Sequence, residues 1–225
     1  MSPGLRVLLV GHGRMGRLVA SLAPEYGVDI VGAVTRSAGQ DPAAWPAADV
    51  AIDFSAAEAV PASARALAAR GVSLVIGTTG WQAEEGALRR ELSAHDIGVI
   101  AAPNFAVGVN VFLAIAERSA QLVAGRGFAS WIHEAHHAAK KDAPSGTALA
   151  IRRVVEAAGE KVDVASTRAG HIPGTHTLGF DSSVETITLT HTARDRTAFA
   201  RGALEAAKWV NGRVGWFSMR DLLEL

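Results

Sequence analysis

The chain predicts an α/β fold: a doubly wound parallel sheet interrupted by an α+β insertion that carries an open, mixed or antiparallel sheet. Three observations predict it. The first hundred residues alternate short apolar runs with helical segments, as parallel strands joined by right-handed crossovers do. After about residue 105 polar and apolar residues begin to alternate over longer stretches, which suits strands with one open face. The tail is helix-like again and is expected to return to the first domain. That gives one domain from 1–105 with 201–225, and a second from 106–200.

Each element has its own signal. "LRVLLVG" is a continuous apolar run ending in glycine, the pattern of a strand buried on both faces. Residues 14–23 read as a helix, "VDIVGAV" as a second strand and "DVAIDFS" as a third. Ser55 stands where it would cap the next helix. That helix, "AEAVPASARALAARG", is stopped by Gly71 because glycine readily takes the left-handed turn. "VSLVIGTTG" is a fourth strand, 82–94 a helix and "IGVIAAPN" a fifth strand. A helix over 108–124 then leads to "FASWIHEAHH" and, later, the β-branched "VETITLTHTA". An open sheet in so small an insertion needs cover, and self-association would supply it.

Composition narrows the function classes. Lys+Arg and Asp+Glu are 22 each, so no overall field draws nucleic acid or an anionic membrane. There is no cysteine, which removes disulfides, thiol nucleophiles and cysteine–zinc sites, and suits a reducing cytoplasm. "LRVLLV" is too short for a secretory h-region, and no apolar run approaches the roughly 20 residues of a membrane span.

"VGHGRMGRLVA" contains Gly11, Gly13 and Gly16 in a G-x-G-x-x-G pattern. It follows the first strand and opens the first helix, the context of a Rossmann-like dinucleotide site. Small residues let the backbone approach a pyrophosphate, and the helix N-terminus supplies amides and positive dipole. The second strand ends in Val34-Thr35-Arg36. No acid waits there for an adenosine ribose, whereas the Arg36 guanidinium suits a 2′-phosphate. NADPH is therefore the expected cofactor, with NADH also usable. The loop "GTTG" at 77–80 ends the fourth strand on the same sheet edge.

"WIHEAHHAAKKDAPSGTALA" (131–150) poses a choice. His133, Glu134 and His137 spell His-Glu-x-x-His, which chelates zinc only on a helix. The segment reads as a strand, on which His133 and His137 would lie about 13 Å apart, and the glycine loop would be left unexplained. No metal is expected. The better reading is an anion site. The amides of Ser145, Gly146 and Thr147 open a helix and lack intrahelical partners. His136, His137, Lys140 and Lys141 add charge and donors. A neutral protein with such a cluster expects a small acidic ligand, and histidine is the usual proton donor near neutral pH.

"GHGRMGR", "IDFS", "GTTG", "APNFAVGVNV", "EAHHAAKKDAPSGTA", "RAGHIPGTHT" and "WFSMRDLL" together resemble the 4-hydroxy-tetrahydrodipicolinate reductase (dihydrodipicolinate reductase) family, in order along nearly the whole chain. The resemblance implies hydride transfer from NAD(P)H to a cyclic unsaturated dicarboxylate, giving tetrahydrodipicolinate in diaminopimelate and lysine biosynthesis. It implies His136 as proton donor, with Lys140 supporting protonation and binding substrate. His137, Ser145, Gly146 and Thr147 would hold a carboxylate. Gly11, Arg14 and Met15 would hold the pyrophosphate, and Gly77 and Thr79 the nicotinamide region. Ala102, Asn104 and Phe105 would mark a hinge beside the cofactor. It also implies a homotetramer built through the inserted sheet. Three departures stand out. The glycine loop is one residue shorter than many in the family, Thr35 replaces the acid of members that use NADH well, and the chain is shortened around "RSAGQDPAAWPAADV". The competing reading is another NAD(P)-dependent dehydrogenase of a small acidic metabolite.

Overall fold

The computed structural model describes residues 4–35 and 41–225. They fall into two units, Met1–Val107 with Thr197–Leu225, and Gly108–Arg196. Along the chain the first unit contributes β1 (Leu5–Val10), α1 (Arg14–Leu22), β2 (Val28–Val34), β3 (Val50–Asp53), α2 (Val60–Ala68), β4 (Ser73–Ile76), α3 (Glu85–Leu92) and β5 (Gly98–Ala101). The second is opened by α4 (Val107–Val123) and holds β6 (Ala129–His136), α5 (Gly146–Ala157), β7 (Val162–Arg168), β8 (Thr175–Asp181) and β9 (Thr186–Thr192). The chain then returns to the first unit with α6 (Thr197–Val210), β10 (Gly215–Phe217) and α7 (Met219–Leu223).

The first sheet runs β10-β5-β4-β3-β1-β2, with every pair parallel. Val7, Leu8, Leu9 and Val10 of β1 are all buried, as a strand covered on both faces requires. Val7 and Leu9 join a core with Val19 of α1 and Leu204 of α6. Leu8 and Val10 join another with Leu67 of α2 and Leu88 of α3. The strand order reverses at β1, so the loop after it lies at the switch point where such sheets bind ligands.

Two local expectations fail. Ser55 does not cap α2. That helix is preceded by a single 3-10 turn at Ala57–Ala59 and its cap residue, Ala59, offers no side-chain bond. Ser55 instead donates its hydroxyl to Asp53 at 2.7 Å. The tail is also not helical throughout: Gly212 and Gly215 take positive φ, and the chain between helices runs as β10, parallel to β5.

The second sheet has the order β7-β6-β8-β9. β6 is parallel to β7 and antiparallel to β8, and β8 is antiparallel to β9, so the sheet is mixed. Residues of β6 alternate strictly in exposure. Ser130, Ile132, Glu134 and His136 are buried, on the face where Ile132 packs with Phe112 of α4 and Ile151 of α5. Trp131 and His133 lie on the other face, where Trp131 stacks against Gly179 so closely that a Cβ there would sit 2.1 Å from the indole. Threonine pairs 175–192 and 177–190 bridge β8 and β9, each at 3.1 Å.

Candidate active site

In the first unit the glycine loop is built from close backbone approaches. Gly11 has φ +93°, and a Cβ on it would lie 2.5 Å from the Phe54 carbonyl oxygen. A Cβ on Gly16 would lie 2.2 Å from the Gly11 carbonyl, so the third glycine lets α1 start directly against the turn. Gly13 is the cap of α1, faces open space and carries no side-chain bond, and the first turn contains no acid. The free amides of that turn, unopposed by a carboxylate, fit a pyrophosphate. Arg14 is exposed beside them, while Met15 packs against the core.

The loops after β3 and β4 are tied together by one buried carboxylate. Asp53 accepts from the Ser55 amide at 2.9 Å, the Ser55 hydroxyl at 2.7 Å and the Thr78 hydroxyl at 2.7 Å. Burial raises the Asp53 pKa, and the Ser55 and Thr78 bonds oppose it. Gly77 lies against the Phe54 ring and Thr79 is exposed. After β5, the Ala102 amide donates to the Ile76 carbonyl at 3.1 Å and Asn104 accepts from the Ala106 amide at 2.9 Å. Phe105 is a core side chain, stacked edge-on with Phe54, so only its backbone is available to a ligand. Arg36 lies outside the described residues.

In the second unit the register of the strands assembles a polar row on the buried face. Register places Glu134 of β6 between Ser166 of β7 and His176 of β8, with His191 of β9 opposite His176. His136 stands one pleat further along, opposite Arg168. Glu134 is wholly removed from solvent. It accepts from Arg168 Nη1 at 3.0 Å and Nη2 at 2.7 Å, from the Ser145 amide at 3.3 Å, and from His136 Nδ1 in a short contact. Burial alone would raise its pKa, but bonds from Arg168, Ser166 and His136 outweigh that and hold it at about 2.

The histidines are depressed. Burial lowers His136, helped by the charges of Lys140 and Arg168, while Glu134 raises it. Burial and the neighbouring His136 lower His176 to about 4. His176 Nε2 meets the Ser145 hydroxyl at 3.0 Å, and its ring stands edge-on to His136 at 5.1 Å. Ser145 caps α5, accepting from the Ala148 amide at 3.2 Å. The Ser145 amide, expected to be free, is taken by Glu134; those of Gly146 and Thr147 have no partner among the described residues. Lys140 pairs with Asp142 at 2.7 Å, and Arg168 reaches the Asp142 carbonyl at 2.5 Å. His137, half-buried, directly follows β6, and its carbonyl accepts from the Lys140 amide at 3.1 Å.

Residues 5–105 match the family described as dihydrodipicolinate reductase, N-terminus, and residues 108–223 match dihydrodipicolinate reductase, C-terminus. The chain belongs to the dihydrodipicolinate reductase family. A 4-hydroxy-tetrahydrodipicolinate reductase of Acidiphilium cryptum is 42% identical, over 98% of either chain. One of Myxococcus xanthus is 38% identical over 97% of either. Among solved structures, a dipicolinate-bound dihydrodipicolinate reductase from Paenisporosarcina sp. TG-14 shares the fold at TM-score 0.80 and 22% identity, covering 96% of this chain and 97% of that one. As a family member the protein is an NAD(P)H-dependent reductase of diaminopimelate and lysine biosynthesis.

The sequence alone did not point to Glu134, Arg168 and His176 as partners in this site. Strand parity would have paired Glu134 with His136, since i and i+2 share a face; the His-Glu-x-x-His spelling drew attention to 133 and 137 instead. Arg168 and His176 stand in "RAGHIPGTHT", a stretch that carried the resemblance without an assigned role. Glu134, His136 and His176 bring one ligand atom each within 4.8 Å of one another. A cation there would meet the Arg168 guanidinium, which already holds both carboxylate oxygens.

Proposed function

We propose that the second unit binds the dicarboxylate substrate and delivers a proton to it, while the first binds NADPH in preference to NADH. The carrying observation is the joining of His136 and the α5 N-terminus by one buried carboxylate. The Gly146 and Thr147 amides, with His137, receive one substrate carboxylate, because free helix amides and positive dipole favour an anion. Lys140 exchanges Asp142 for the substrate. NADPH supplies the hydride, and an acceptor conjugated to an imine gains electron density as it is reduced. Cationic donors stabilise that density, and His136 completes the two-electron reduction by protonating the adjacent carbon. The Glu134, His136 and His176 group serves this proton chemistry rather than a metal.

The NADPH preference is supported by the end of β2, where Val34-Thr35 presents no carboxylate to a 2′-phosphate. The open face of the second sheet, with Trp131 and the threonine pairs, supports assembly into a homotetramer. Among the described residues no helix is long and apolar enough to cross a membrane, and the reading places the enzyme in the cytoplasm. Freshly made dihydrodipicolinate synthase product should be reduced with loss of absorbance at 340 nm. Arg36→Ala should narrow the NADPH/NADH ratio of kcat/KM, and sedimentation should give four chains. No turnover of the synthase product would refute the substrate; an unchanged ratio would refute the role of Arg36.

A further inference from the structure

The proposed reaction needs His136 protonated, oriented and held. We propose that Glu134, clamped by Arg168, is the positioning residue that does this, taking Nδ1–H of His136 as a hydrogen bond so that Nε2 alone faces the substrate. The inference rests on the function above and adds a residue to it.

Four observations converge. Glu134 has both oxygens engaged, by two guanidinium nitrogens, one amide and one imidazole nitrogen. It is therefore fixed in orientation. An ionised carboxylate only accepts, so Nδ1 must carry a proton in both the neutral and the cationic imidazole. His136 Nε2 makes no hydrogen bond among the described residues, yet it is not one of the polar atoms sealed away without a partner. The residue beside it is Gly174, where a Cβ would lie 3.1 Å from Nε2; the glycine keeps that edge clear. Finally, the Oε1 atom that accepts from Arg168 also accepts the Ser145 amide. One carboxylate thus anchors both the proton donor and the helix end assigned to the substrate's carboxylate.

The groups facing His136 explain why an ionised Glu134 is needed. Arg168 from β7 and Lys140 from the following loop both oppose a charge on the ring. His176 from β8 stands against it edge-on, with His191 of β9 behind. Asp142 is occupied by Lys140. Glu134 is the only carboxylate in contact with the His136 ring among the described residues, and Arg168 keeps it ionised despite burial. A bound dicarboxylate adds the remaining negative charge, so substrate binding should draw a proton onto His136.

The test uses the full chain as wild type, Glu134→Gln, Glu134→Gln/Arg168→Gln, His136→Gln and Glu134→Gln/His136→Gln. Turnover of the synthase product is followed against pH. Proton uptake on binding pyridine-2,6-dicarboxylate is measured by calorimetry in buffers of different ionisation enthalpy. Glu134→Gln should lower kcat roughly 10- to 100-fold, the scale of lost outer-shell support. It should move the alkaline fall in rate about one pH unit lower, through loss of the adjacent negative charge, and reduce proton uptake. In the His136→Gln background it should cost little more, because the two act as one unit. If Glu134→Gln does not fold, the charge-free pair with Arg168→Gln should show the same loss of kcat and the same non-additivity with His136→Gln, but a smaller move of the alkaline limb, because the Arg168 charge that opposes His136 is removed as well. An unmoved alkaline limb with unchanged proton uptake, or kcat losses that multiply in the double variant, would overturn the assignment. If the wild type ignores the synthase product, the substrate reading fails, and proton uptake with the diacid still decides the role of Glu134.

Discussion

His176→Gln should flatten the acid side of the stability curve. In the folded protein His176 titrates at about 4, against an ordinary 6.5, because it is buried and faces His136. Between those values the unfolded chain holds a proton that the folded one refuses, so stability falls as pH falls. At about 1.4 kcal/mol for each tenfold change in proton affinity, the gap from 6.5 to about 4 corresponds to roughly 3 kcal/mol. That stability is fully present above pH 6.5 and gone below about 4. Glu134 adds a second loss further down, as pH falls from its ordinary 4.5 through about 2. Glutamine keeps a partner for the Ser145 hydroxyl but does not titrate. Urea unfolding followed by tryptophan fluorescence at fixed protein concentration, from pH 7.5 to 4, measures the slope. The wild type should lose roughly 3 kcal/mol more than His176→Gln across that range. Parallel slopes would mean that His176 is not held neutral by its site, and the picture of a sealed polar row would be wrong.

Other outcomes follow from the same contacts. His136→Gln should lower kcat by about 10²–10⁴, the usual worth of a general acid, and abolish the alkaline fall in rate. In the wild type that fall should come at lower pH in kcat/KM than in kcat, since the free enzyme's His136 is depressed and the bound diacid raises it. A pH-rate series on both proteins checks both points. Gly77→Ala should raise the KM for NADPH and destabilise by about 1–3 kcal/mol through overpacking, because its Cβ would lie 2.1 Å from the Phe54 ring. Gly202→Ala, which in an exposed helix would gain up to about 1 kcal/mol, should instead lower stability by about 1–3 kcal/mol, as its Cβ would meet the Phe105 carbonyl at 1.7 Å; thermal unfolding gives the sign. Glu134→Leu/Arg168→Met should lose the ion pair itself at little net cost, but it leaves the Ser145 amide and His136 Nδ1 without their acceptor, so urea unfolding should show a loss of roughly 1–3 kcal/mol for each unpaired donor, while its turnover falls with that of Glu134→Gln.

Much of this was legible in the sequence because the signals were local. "LRVLLVG" declares a strand buried on two faces, and the glycines at 11, 13 and 16 declare the turn after it. The phase of β6 was also readable: "FASWIHEAHH" alternates, and on a strand His133 and His137 stand about 13 Å apart, too far to share a metal ion. What escaped depends on pairing between distant segments. The meeting of Arg168 with Glu134 follows from the parallel register of β6 and β7, and that of His176 from the antiparallel register of β6 and β8. Neither register is written in any one stretch. Ser55 was misjudged because a local capping rule competed with a buried Asp53 two residues earlier, which claims its hydroxyl and amide. β10 is hidden in the sequence because it is only three residues long and lies between two helical stretches, marked off by Gly212 and Gly215 alone.

The polar row raises a question of cost. Enclosing Glu134, Arg168, His136 and His176 against an otherwise apolar core is expensive, since charges leave water for little net gain. Stability alone would favour leucine and methionine there. Three features show what the cost secures. Both Glu134 oxygens are used, so the ring it holds cannot flip. Arg168 supplies a charge that keeps that carboxylate an acceptor under burial. His176, held neutral, packs beside His136 without opposing its protonation as a second cation would. Each feature matters for delivering a proton in one direction and is superfluous for holding a sheet together. The desolvation cost falls on a strand, β6, that is paired on both sides, so the fold can bear a costly site there.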